Sequence, residues 1–182
     1  SELGMIPEGW KVIKQGKFFP VITGKKNANI ATSGGKFKFF TCSQKPFLTD
    51  EYSFDAEAIL VAGNGDFNVK YFKGKFEAYQ RTYVLIPYEK QLTGLLYFSI
   101  KNNLAKITSG HRGSVIKFIT KGDLENYKLA LPNDGELMKY AEVFSLIVTK
   151  ILNNETENEK LIKIRDILLP KLMSGEIKVP IE

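Results

Sequence analysis

The chain has 182 residues, 43% of them hydrophobic, with one cysteine, one histidine and a formal net charge of +6. That length sustains one core with an appended element rather than two full domains, and Cys42 alone excludes an internal disulfide framework. A lone His111 excludes a histidine cluster for metal catalysis, so no metal or cofactor is expected; the absence of an apolar run of about 18 residues or of a charged leader followed by one points to no membrane span or signal peptide and to a cytoplasmic protein.

In chain order, Lys36–Phe40 and Ala58–Ala62 read as strands, and Gly63-Asn64-Gly65-Asp66 as a tight turn. Asn68–Phe72 and Lys75–Tyr79 flank Lys73-Gly74, a hairpin signal, and Arg81–Ile86 continues in β-favouring residues. From Leu92 the period changes. Leu92, Leu95, Leu96, Ile100, Leu104 and Ile107 recur at steps of three and four, the apolar stripe of a helix. Val115–Ile119 and Tyr127–Leu131 return to strand character. Residues 1–132 thus read as one mixed domain of short strands and a packed helix.

At Pro132-Asn133-Asp134 the composition shifts to helix formers, with Asn133 or Asp134 as N-cap and Glu136 in the first turn. Residues 133–182 read as a long helical, coiled-coil-like region, which makes the fold class α+β. Its apolar stripe is Leu137, Phe144, Val148, Ile151, Leu161 and Leu168, longer than a small domain can cover, so self-association through these helices is expected. The polar segment Asn153–Lys160 is read either as an interruption or as an exposed part of one helix.

Charge is segregated. Residues 1–130 carry +8 and residues 131–182 carry −2. Residues 11–49 contain eight lysines and no acid, and residues 90–122 contain six basic residues and no acid. Two such windows suit a polyanionic partner.

Enzyme readings find no support. Gly63-Asn64-Gly65 and Gly110-His111-Arg112-Gly113 lack the spacing of phosphate loops. Cys42 and His111 lack a third group for nucleophilic catalysis. Asp66 and Glu77 do not belong to a nuclease-like triad.

The order of several motifs resembles one half of a type I restriction-modification specificity subunit. They are Ile6-Pro7-Glu8-Gly9-Trp10, Gly24-Lys25-Lys26-Asn27, Tyr79-Gln80-Arg81-Thr82-Tyr83-Val84-Leu85, Gly113-Ser114, Leu131-Pro132 and, above all, Leu168-Leu169-Pro170-Lys171-Leu172-Met173-Ser174-Gly175-Glu176-Ile177. The resemblance implies a non-catalytic target-recognition domain for double-stranded DNA followed by a conserved helical region. It also implies methyltransferase and endonuclease subunits as partners, and two helical regions packed antiparallel. The chain has one domain and one helical region where that family has two of each. The alternative is a helical assembly protein without DNA binding.

DNA recognition needs phosphate contacts for position and base-edge contacts for discrimination. Candidates are Lys25, Lys26, Asn27 and Asn29 in a polar loop; Lys36 and Lys38 on one strand face; Gln80 and Arg81; Lys101, Asn102 and Asn103 on the helix; and His111, Arg112 and Ser114 in a glycine-flanked loop. Arg112 is singled out there as the only guanidinium in either basic window.

Overall fold

The computed structural model describes residues 3–109 and 118–178. They form two compact units, Ser1–Ser145 and Leu146–Glu182. In the first unit β1 (Lys11–Lys14) pairs antiparallel with β8 (Lys128–Leu131). The main sheet has the order β2 (Val21–Thr23), β7 (Thr82–Leu85), β5 (Phe54–Ala62), β6 (Val69–Ala78), β3 (Phe37–Phe40), β4 (Phe47–Thr49). All its pairs are antiparallel except β3 with β6.

The sheet curls on itself. Beyond β2, Lys26 bridges Tyr79 in parallel, and the Gln80 N–H donates to the Lys26 carbonyl at 3.0 Å. The sheet order puts β2 and β6 two strands apart, so this contact closes β2, β7, β5 and β6 into a small barrel. Gly24 permits the closure. A Cβ there would lie 2.2 Å from the Ala78 carbonyl oxygen.

Apolar residues explain the interior. Ala58–Ala62 of β5 is buried on both faces, which is why this strand is continuously apolar instead of alternating. Phe40, Ala58, Leu60, Phe76, Ala78 and Val84 form one core cluster. Phe40 and Phe76 meet edge to face at 5.7 Å between centroids, and Phe54 stacks on Phe76 at 5.1 Å. The aromatics thus act mainly in packing.

The expected hairpin at Lys73-Gly74 does not form. Residues 69–78 are a single strand paired with β5 from Phe54↔Phe76 to Val61↔Val69. Gly74 (φ +131°) lies opposite Ala56 inside that ladder, so the glycine bends a strand instead of ending one. The chain reverses instead within Gly63–Asn68, where Gly65 takes φ +72°.

The helix α1 (Thr93–Thr108) packs on β5 and β6. A short α2 (Lys121–Asn126) starts at a capping box, with the Asp123 N–H donating to Thr120 Oγ1 at 3.2 Å and the Thr120 N–H donating to Asp123 Oδ2 at 2.7 Å. The last helix, α3 (Asp134–Met173), is continuous through Asn153–Lys160, so that segment is the exposed part of one helix. Asn133 caps it, its Oδ1 accepting from the Glu136 N–H at 3.1 Å, and Gly175 (φ +76°) follows its end.

α3 starts at Asp134, and the compact units divide inside it, between Ser145 and Leu146. Leu137 and Ala141 are buried, and the Phe144 ring meets Phe98 at a 40° tilt with 5.4 Å between centroids. A Cβ on Gly94 would lie 2.9 Å from the Phe144 carbonyl oxygen, so α1 and the start of α3 touch at backbone distance.

Candidate nucleic-acid interface

Barrel closure gathers several segments at one end of the sheet. The Gly24 N–H donates to the Thr82 carbonyl at 3.0 Å, and the Gly63 N–H donates to the Arg81 carbonyl at 2.8 Å. Lys25, Lys26 and Asn27 therefore neighbour Gln80, and Gln80-Arg81 neighbours the Gly63–Asp66 turn. These are three separate stretches of sequence made contiguous by two short connections. Lys25, Asn27, Asn29, Gln80 and Arg81 are all exposed.

Lys26 is not a free cation, because its Nζ pairs with Glu51. The hydrogen bond and charge of Glu51 raise its pKa. Lys36 is exposed just before β3, whereas Lys38 is half-buried with its Nζ 5.5 Å from the Phe72 ring centroid. On α1, Lys101 Nζ donates to the Tyr97 hydroxyl at 3.1 Å, and the Asn103 amide donates to the Ser99 carbonyl at 2.9 Å. Asn102 is the exposed amide of that group. His111, Arg112 and Ser114 lie outside the described residues.

An open cleft of about 430 Å³ adjoins Gln80 and Arg81, with Asn64, Tyr83 and Phe118 also lining it. Asn64 does not stand out in the sequence, where it reads only as a turn residue; an amide between two glycines is the signal that could have found it. Behind it runs a polar chain. The Cys42 thiol donates to Asn64 Oδ1 at 3.0 Å, the Asn68 amide donates to the Cys42 carbonyl at 2.9 Å, and the Lys70 ammonium bonds Asn68 Oδ1. Burial lowers the Lys70 pKa from 10.5 to about 8, against the opposing pull of Cys42 and Asp66.

Carboxylates at this end serve structure. Glu77 is fully buried, accepting from Ser53 Oγ at 2.6 Å and from the Ala78 N–H at 2.9 Å. Asp66 accepts from the Gln44 amide at 2.5 Å. No group of three or more metal-ligating side chains occurs among the described residues, and none of their helices is long and apolar enough to cross a membrane.

A curled sheet with amides and cations at its closed end is joined to a long helix with exposed apolar side chains. Residues 7–164 match the family described as the type I restriction modification DNA specificity domain, and the chain belongs to that family. It is 36% identical over 178 residues to the type I restriction enzyme EcoDI specificity subunit of Escherichia coli, covering 96% of this chain and 40% of that protein. It is 29% identical over 199 residues to the putative type I restriction enzyme MjaX specificity subunit of Methanocaldococcus jannaschii, covering 98% of this chain and 46% of that protein. The fold is that of the type I restriction-modification S subunit of M. genitalium, with a TM-score of 0.73 at 22% identity, over 91% of this chain and 46% of that one. The chain thus spans less than half the length of these relatives.

Proposed function

We propose that this chain is a non-catalytic specificity subunit, or half of one, that recognises double-stranded DNA and directs methyltransferase and endonuclease subunits to a target in the cytoplasm. The observation that carries the reading is the convergence of Lys25, Asn27, Gln80 and Arg81 at the closed end of the barrel, inside a family defined by DNA specificity. Charge supports it, since the +8 of residues 1–130 contrasts with the −2 of the rest. Selection from a random duplex pool in the presence of the methyltransferase subunit tests it. One enriched sequence is expected, with log affinity falling linearly against log salt. Enrichment of none would favour the assembly-only alternative.

The helical region supports self-pairing in one orientation. Ile147, Ile151, Asn154, Asn158, Leu161, Arg165, Leu168 and Leu172 follow at alternating steps of four and three, and all are exposed. This spacing reads the same in both directions about a point between Glu159 and Lys160. An antiparallel second copy centred there would seat Ile151 on Leu168 and Ile147 on Leu172. It would also set acidic Glu155–Glu159 against basic Lys160–Arg165, whereas parallel copies would oppose like charges.

A further inference from the structure

The cleft beside Arg81 has an unbalanced set of hydrogen-bonding groups. Three of its backbone acceptors are spent within the fold. The Gly63 carbonyl accepts from the Ile119 N–H at 2.8 Å, and the Arg81 carbonyl accepts from the Gly63 N–H at 2.8 Å. The Ile119 carbonyl takes the Tyr83 hydroxyl proton at 2.7 Å. The Asn64 side-chain oxygen is likewise occupied by the Cys42 thiol. The side-chain groups left over are mainly donors: the Asn64 amide nitrogen and the Arg81 guanidinium, with the Gln80 carboxamide adding a donor nitrogen and one acceptor oxygen, and none of them has a protein partner among the described residues.

A donor-rich cleft selects an acceptor-rich ligand. In the major groove only guanine presents two adjacent acceptors, N7 and O6, within reach of one guanidinium fork; adenine sets a donor beside its N7. A phosphate is also rich in acceptors, but two of the three free groups are neutral amides and the aromatic residues Tyr83 and Phe118 are among the lining, a composition that suits a base edge better than a phosphate. We propose that this cleft reads a guanine of the DNA target, with Arg81 bidentate to N7 and O6 and Asn64 supplying a further donor. The proposal rests on the DNA-recognition reading above and adds the site and the base.

The test uses the full chain with the methyltransferase subunit and the duplex enriched from the random pool. Each guanine is replaced in turn by 7-deazaguanine, which lacks N7 but keeps its Watson–Crick face. One position is expected to lose roughly tenfold or more in affinity, the scale of a bidentate contact. Arg81→Lys, which keeps charge but loses the fork, and Asn64→Asp, which swaps a donor for an acceptor, should each weaken binding to the native duplex without adding their full loss on the 7-deaza duplex. No sensitive guanine, or losses from Arg81→Lys that are equal on every duplex and independent of the analogue, would overturn the guanine assignment while leaving DNA recognition standing. Wild-type protein that enriches no duplex would overturn both.

Discussion

Lys70 places an ammonium where burial disfavours it. Its pKa of about 8 in the folded chain lies below the ordinary 10.5, so between those values the unfolded chain binds the extra proton and the folded chain does not. Stability linked to this group therefore rises with pH across that window. In Lys70→Met the rise is absent, and denaturant midpoints of the two proteins compared from pH 8 to pH 10 should converge or cross in favour of the wild type. Gly24 is a second decisive residue. A methyl group there would meet the Ala78 carbonyl oxygen at 2.2 Å and the Tyr79 carbonyl oxygen at 2.3 Å, both backbone atoms that cannot swing aside. Gly24→Ala should destabilise the first unit by about 3 kcal/mol, at the upper end of overpacking costs, as read by urea unfolding. Gly24 was legible in the sequence only as part of a motif. The reason for it lies in a contact across more than fifty residues that no local pattern encodes. Asn64 went unnoticed for the same cause, because its meaning depends on Cys42 and Arg81 arriving beside it.

Among the elements, the strands and helices with a clear apolar period were readable: β3, β5 and β7 by their β-branched and aromatic runs, β8 by leucines at alternate positions, α1 by its steps of three and four. Lys73-Gly74 misled because a glycine after a polar residue marks a turn only when the flanking segments pair with each other. Here both halves of β6 pair with β5 instead. The tail stripe was read as one surface, yet it divides. Leu137 and Phe144 are taken up by the first unit and Val148 is buried, while Ile151, Leu161 and Leu168 remain exposed. Sequence spacing shows that a helix has an apolar face but not how much of that face its own domain consumes. Continuity of α3 through Asn153–Lys160 gives an element-level prediction. Thr156→Pro should interrupt the helix at a cost of about 3 kcal/mol and abolish self-association in sedimentation. The near-ultraviolet circular dichroism of the first unit should be unchanged.

For the whole molecule, the unequal provision of core between the two units has a thermodynamic consequence. The first unit holds nearly all of the buried side chains, whereas from Leu161 to Leu169 every residue of α3 is exposed. A helix without tertiary packing is marginal in water, since nucleation is costly and propagation adds little per residue. If it pairs with a second copy as proposed, the distal helix borrows its permanence from that copy, and mass action enters the stability of the chain. Heating should show two events: a transition of the first unit at a temperature independent of protein concentration, and an earlier loss of helical signal that moves down as the sample is diluted. Each tenfold dilution removes about 1.4 kcal/mol from a paired state. At low abundance the backbone amides beyond Asn153 should exchange with solvent within seconds, while those of β5 persist for hours. Under the proposed pairing, the first unit would stay folded at any concentration while the distal helix would owe its rigidity to the second copy.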